Sequence, residues 1–403
     1  MTRKLLAAWQ LGALAALHFT VDMLSGTLPG FLPVLRDHYG LSLTVGSMLV
    51  SLCAFSSNTV QLLVGGLRRR ATRPRLVQGG VLLGSLICFV GLVPQGAGAV
   101  WMLSILMLVV GTGVALLHPE GLRGVCAIDP ASIPPGVATS LFMLSGFFGY
   151  ATGPLLGGWL VETGGFSGLF WLYLWIVPLL WIFHRARVRL AVEENGGGGR
   201  PQVHSSRAVP TSPLTFWEIF LIATLINTGC IVIQALLPTY LNGYGFSLIF
   251  GGVSAMLFGA GAGLGAFATS FIVRRHSTLR VIQLEIAAGI PLLLLYLLLA
   301  GQGWAAVLVF FAGALVGAGF PQLVVLARSA PNGPSLGARM GLIVGGTWGI
   351  SGVILLGVGA MGDRFGLEPA MLTSPAFFLL VPLFCRLLKQ RRRYNLSAQE
   401  TMR

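Results

Sequence analysis

The ten residues PVLRDHYGLS at 33–42 recur as PTYLNGYGFS at 238–247, 205 positions along. Proline, tyrosine, glycine and serine fall in register. Arg69-Arg70 lands on Arg274-Arg275 at the same offset, and His118-Pro119-Glu120 lands on Phe320-Pro321-Gln322 at an offset of 202. Long apolar runs flank both copies. A helix needs about 20 apolar residues to cross a hydrocarbon core, and the chain divides into twelve such runs, at roughly 5–35, 42–66, 76–94, 99–125, 135–161, 167–184, 215–240, 248–273, 280–300, 304–327, 340–361 and 370–388. Only 9% of residues are charged, against about 25% in a soluble domain, so the chain cannot cover a water-facing surface. Lipid without water admits only helices or closed barrels. The expectation is an all-α membrane protein of twelve transmembrane helices, in two six-helix bundles related by pseudo-twofold symmetry.

The formal charge of +14 first suggests nucleic acid. Its distribution excludes that reading, because the basic residues sit in the loops that follow every second run and no soluble basic face accompanies them. With the N-terminus placed inside, 24 of the 26 lysines and arginines fall on the inner side, and two, Arg36 and Arg364, fall outside. That asymmetry is the positive-inside signal. It predicts a multi-pass protein of the cell inner (cytoplasmic) membrane with both termini cytoplasmic. The first run is too long for the apolar region of a cleaved signal peptide, so it is expected to remain as the first helix. The segment 185–213 carries Gly196 to Gly199, three prolines and two glutamates. It reads as a cytoplasmic linker between an N-terminal bundle at 1–184 and a C-terminal bundle at 214–390, with a cytoplasmic tail at 391–403. The odd set Cys53, Cys88, Cys126, Cys230 and Cys385 reads as small apolar packing residues. The chain is expected to be a monomer in the lipid bilayer.

Three local patterns resemble the major facilitator superfamily. The loop Gly65-Gly66-Leu67-Arg68-Arg69-Arg70-Ala71-Thr72-Arg73-Pro74 is similar to the superfamily's signature loop, with Arg69 where that loop has an acid. There the acid ties the loop to neighbouring helix ends, so Arg69, Arg70 and Arg123 are candidate gating residues, and Asp129 is the candidate substitute for the lost acid. The run Gly149-x-x-x-Gly153-Pro154-x-x-Gly157-Gly158 resembles the motif of drug–proton antiporters. Small residues let helices approach closely and the proline supplies a bend. His18-Phe19-Thr20-Val21-Asp22, with Gly111-x-Gly113-x-Ala115-x-x-His118-Pro119-Glu120, resembles the fosmidomycin-resistance branch of efflux transporters. The resemblance implies secondary active transport by alternating access of two rocking halves, with a small drug-like or metabolite molecule and protons as partners.

Asp22 and His18 are four apart and share one helix face near the middle of the first run. An ionisable group there costs at least about 2.5 kcal/mol on insertion scales, so it is expected to face a protein cavity, where it can bind and release a proton. His118 and Glu120 flank Pro119 about 29 Å along the fourth run, near the inner surface, and are candidates for coupling; Arg123 is a candidate partner of Glu120. Asn227 and Gln234 lie on one face of the seventh run, and Phe147, Phe148, Tyr150 and Trp348 are candidate cavity aromatics; these form the expected substrate set. Glu285, close to Arg280, is expected to reach the inner interface. Neither a phosphate-binding glycine loop, nor metal-ligand spacing, nor a nucleophile elbow occurs, so neither cofactor nor metal is expected and the chain is not read as an enzyme. A phosphonate such as fosmidomycin is anionic, and no arginine lies at mid-membrane to meet it, so neutral or cationic apolar compounds fit better. Two other readings stand beside efflux: proton-coupled uptake of a small solute or anion, and a membrane scaffold or sensor that transports nothing.

Overall fold

The computed structural model describes residues 2–67, 71–191 and 214–401; Arg69 and Arg70 lie outside them. Among the described residues the chain is helical throughout, with no strand. The helices are α1 (Arg3–Tyr39), α2 (Leu43–Leu67), α3 (Arg75–Leu92), α4 (Ala99–Cys126), α5 (Pro135–Gly164), α6 (Tyr173–Ala186), α7 (Phe216–Gly243), α8 (Leu248–Ile272), α9 (Thr278–Leu298), α10 (Gly303–Ser329), α11 (Ala338–Phe365) and α12 (Leu367–Gln390). Eleven helical stretches are long and apolar enough to cross a membrane, and one of them, Pro135–Ala186, runs for 52 residues. That is about 78 Å of helix, far more than one crossing. The chain reverses within it: Gly165 takes φ +61°, and a Cβ on Gly168 would press against the Leu160 carbonyl, eight residues back. Straight helix would hold those residues about 12 Å apart. α5 and α6 are therefore two antiparallel helices.

The repeated decapeptide is a helix hairpin. In each copy the glycine after tyrosine, Gly40 or Gly245, has positive φ and ends the outgoing helix, as left-handed residues do. In each copy the serine two residues later starts the next helix: Ser42 Oγ accepts from the Val45 N–H at 3.2 Å, and Ser247 Oγ from the Phe250 N–H at 3.1 Å. Thr215 and Glu218 add a reciprocal capping box at the start of α7, which satisfies two of the amides there.

The two halves meet along α2 with α11 and along α5 with α8, at the charge-poor end that carries Tyr39 and Gly164. A Cβ on Gly252 would lie 2.5 Å from the Pro154 oxygen, and one on Gly158 would lie 2.7 Å from the Leu248 oxygen. Only glycine permits that approach. Two carboxylates then bridge the halves at corresponding places. Asp363, near the end of α11, accepts from the Leu43 and Thr44 N–H groups of α2, each at 2.7 Å. Glu162, near the end of α5, accepts from the Ile249 N–H of α8 at 2.8 Å. Each anion sits on the unpaired amides of a helix N-terminus belonging to the other half. Substituting an N-terminal cap of this kind costs about 1 kcal/mol. Deeper in, Ser51 Oγ donates to the Gly352 carbonyl at 2.6 Å. Toward the opposite, arginine-rich end, α5 leaves Val137, Leu141, Leu144, Phe147 and Phe148 exposed.

A Cβ built on Gly352 lies 3.7 Å from that of Ser51, within the disulfide range of about 3.5–4.5 Å. With the five native cysteines replaced by alanine, Ser51→Cys with Gly352→Cys is expected to cross-link fully under mild oxidation. The readout is the gel mobility of a chain cleaved in the 185–213 segment. Two freely separating fragments would show that the halves do not meet there.

Candidate functional site

The α1–α5 seam brings the candidate residues together. Gly149, Gly153 and Gly157 pack on the backbone at Phe19, Gly26 and Thr27, and Gly30 packs on the Pro154 carbonyl. The glycine motif of α5 thus holds α1 at backbone contact, with Pro154 and Gly158 turned to α8. Toward the arginine-rich end of this seam Asp22 stands between two imidazoles. Its Oδ2 is 3.2 Å from His18 Nε2, and its Oδ1 is 3.4 Å from His118 Nε2 of α4. The two rings stand edge to face at 4.8 Å between centroids. His18 stacks on Phe142 of α5 at 4.1 Å. Both rings are anchored from behind. His18 Nδ1 donates to the Phe142 carbonyl at 2.7 Å, and His118 Nδ1 donates to the Val114 carbonyl at 2.8 Å. His18 is sealed at 2% exposure, whereas the Asp22 and His118 side chains keep 15% and 25%. The cluster is therefore reached from the Asp22–His118 side.

Sequence spacing set His118 apart from the His18–Asp22 pair, near the inner surface. The fold joins them because α1 is longer than one membrane crossing. Its 37 residues measure about 55 Å. Asp22 lies about 26 Å from its charge-poor end, the same depth as His118 along α4. The midpoint of α1 is thus displaced from the midpoint of the bilayer. Phe142 and Gly146 were not singled out in the sequence. The available signal was that Gly146 precedes Tyr150 by one turn on the seam face.

Glu120 lies two residues beyond His118 on α4. It is 1% exposed, and its Oε2 accepts from the Leu76 N–H at 2.9 Å, capping the first turn of α3. Arg123 donates to the Ala191 carbonyl at 2.6 Å and the Ala71 carbonyl at 2.7 Å, which fastens the loop after α2 to the segment after α6. Asp129 caps its own turn through the Ser132 hydroxyl and the Ala131 amide, which hold its carboxyl below the usual carboxylate range. Pro119 sits within unbroken helix.

The substrate set divides. Tyr150 of α5 and Gln234 of α7 line a small recess with Gly26, Pro154 and Ala255, at the junction of the two halves. The Gln234 amide oxygen is buried with no partner among the described residues. Tyr150 lies one turn, about 6 Å, beyond Gly146. Asn227 instead donates to Thr347 Oγ1 of α11 at 2.9 Å. Trp348 meets Phe320 edge to face, and Phe147 and Phe148 are exposed. Thr269 near the end of α8 donates to Glu285 Oε1 at 2.5 Å, and Glu285 Oε2 is buried.

A family model described as Major Facilitator Superfamily matches residues 14–356. The fosmidomycin resistance protein of Escherichia coli (strain K12) is 23% identical over 369 residues, covering 89% of this chain and 87% of that protein. The uncharacterized MFS-type transporter YfnC of Bacillus subtilis (strain 168) is 25% identical over 369 residues, covering 88% and 87%. Among solved structures, a bacterial homolog of the human lysosomal transporter Spinster, in an inward-facing and unoccupied conformation, superposes with a TM-score of 0.71 over 94% of this chain and 96% of that one. Its identity is 16%, so that likeness shows the fold alone.

A Cβ on Gly146 would lie 2.5 Å from Asp22 Oδ2 and from the His18 ring. Gly146→Ala is expected to destabilise the purified protein by the 1–3 kcal/mol typical of overpacking, read as a lowered melting temperature in detergent. Gly12→Ala, where the new Cβ meets nothing within 4 Å, should cause no loss. Equal melting of both variants and wild type would show that the seam is not close-packed around the cluster.

Proposed function

The chain belongs to the major facilitator superfamily and is a membrane transporter; from that premise we propose that it is a proton-coupled exporter of small apolar compounds in the cell inner membrane, working as a monomer by alternating access. The observation that carries the proposal is the placement of Asp22. It is the one acid that the α1–α5 seam sets between two imidazoles, one helical turn from a recess shared by both halves. Proton and substrate sites so close let occupancy of one alter the other. A substrate hydrogen-bonded to Tyr150 and Gln234 leans on the same turn of α5 that carries Gly146 against Asp22. The charge-poor end, outer by the arginine asymmetry, is the closed end, so the conformation is inward-facing and the cluster faces the cytoplasm.

Each other residue has a part in this cycle. Gly149, Gly153, Pro154, Gly157 and Gly158 form the surface on which α1 and α8 slide. Asp363 and Glu162 are outer latches, broken when that end opens. Glu120 and Arg123 hold α3 and the inner loop against α4, so that movement of His118 is passed to the inner gate. Efflux is supported by the name of the relative that confers resistance, and the substrate class by the absence of Arg and Lys beside Asp22.

The experiment is accumulation in proteoliposomes with an imposed gradient, acidic inside, using tetraphenylphosphonium and fosmidomycin as probes. Antiport draws the probe inward; symport drives it out. Asp22→Asn is expected to reduce uptake to that of protein-free vesicles, and the Ser51–Gly352 cross-link should stop it until a reductant is added. Gradient-driven uptake that survives in Asp22→Asn would contradict the assignment.

A further inference from the structure

The two imidazoles are committed at the back. A carbonyl oxygen only accepts, so the hydrogen bonds from Nδ1 of His18 to Phe142 and from Nδ1 of His118 to Val114 require a proton on each Nδ1. A neutral ring has one proton, and it is already used. Each Nε2 then presents a lone pair to an oxygen of Asp22, at 3.2 and 3.4 Å. With Asp22 ionised and both rings neutral, both contacts set lone pair against lone pair. One added proton turns one contact into a hydrogen bond, and a second is needed for the other. The proton can reside on ring nitrogen or on carboxyl oxygen without changing the count.

Building on the proton-coupled reading above, we propose that Asp22, His18 and His118 form a two-proton site, in which each imidazole Nε2 shares one proton with its own oxygen of the carboxylate. Loading takes the cluster from a charge of −1 to +1. The groups facing it leave that change uncompensated. α1 contributes His18 and Asp22, and α4 contributes His118, with Glu120 turned to the Leu76 amide. α5 presents Phe142 and Gly146, with the Tyr150 hydroxyl one turn away; Cys53 of α2 and Cys230 of α7 lie near that hydroxyl. α6 reaches α1 through Trp175, whose indole donates to Thr20 Oγ1 at 2.9 Å. Among the described residues the ion-pair partners of Asp22 are His18 and His118, with no Arg or Lys at that distance. Release of two protons therefore leaves a carboxylate that a cation or a hydrogen-bond donor from the recess can satisfy. Exchange of a monovalent cation for two protons moves one net charge per cycle.

The His118 contact carries the second proton, and this separates the proposal from a single titrating acid. The test needs no transported compound. Full-length protein labelled with ¹⁵N-histidine is titrated in lipid nanodiscs while imidazole nitrogen signals are followed. The two rings are assigned by magnetisation transfer from ¹³C-carbonyl phenylalanine to His18 and ¹³C-carbonyl valine to His118, with His118→Gln as a check. Both rings are expected to hold Nδ1–H at every pH, and the cluster to take up two protons on acidification. Uptake in His118→Gln should fall to one. A proton found on Nε2 with Nδ1 bare in either ring, or uptake of a single proton by the wild type, overturns the proposal. Two protons taken up by a protein that shows no gradient-driven transport would uphold the two-proton site and remove the exporter reading.

Discussion

The structure depends on one constraint, that a carboxylate be kept inside an apolar bundle. Every device around Asp22 serves it. Glycines in α5 bring α1 to backbone contact and shape the niche. Phe142 supplies a ring to stack on His18 and a carbonyl to fix its tautomer. Val114 supplies the carbonyl that fixes the tautomer of His118 from within α4. An ionisable group at such depth is tolerated only with partners of this kind, and three helices of one half must stay in register to provide them. The site is therefore a property of the α1–α4–α5 packing and not of any single helix.

From that point outward, function is ordered along α1 and α5 in steps of about one turn. His18, Asp22 and Gly146 come first, at the arginine-rich side. Gly26, Tyr150 and Gln234 form the recess next. Gly30, Pro154 and Gly158 follow as the seam shared with α8, and Glu162 caps α8 at the end. Because these layers share α1 and α5, a shift of α1 on α5 is felt by the Asp22–imidazole cluster, the recess and the seam together. The partly accessible Asp22–His118 side and the sealed charge-poor end give the layers a direction.

Much of the fold was legible. The decapeptide repeat proved to be a Gly-then-Ser hairpin in both halves, and the apolar runs became helices. α5 and α6 separate only because Gly165 reverses the chain inside one continuous apolar helical stretch. The site was legible in part. Four-residue spacing joined His18 to Asp22, but helix counting placed His118 elsewhere, since residue counts give distance along an axis and not the offset between helices. Glu120 was read as a coupling residue and Asp129 as the substitute for the lost loop acid; Glu120 accepts from the Leu76 amide, a partner 44 residues away that spacing does not reveal, whereas Asp129 caps its own turn through Ala131 and Ser132. Glu162 and Asp363 went unremarked because one acid near a helix end carries no mark of the helix it will cap.

The central claim is that the carboxylate on α1 exchanges protons in response to what occupies the recess. Proton release from purified, weakly buffered protein on adding tetraphenylphosphonium, with wild type and Asp22→Asn side by side, tests it most directly. The account predicts release that saturates with binding in the wild type and is absent from Asp22→Asn. Binding unaccompanied by release, or equal release from both proteins, would contradict it.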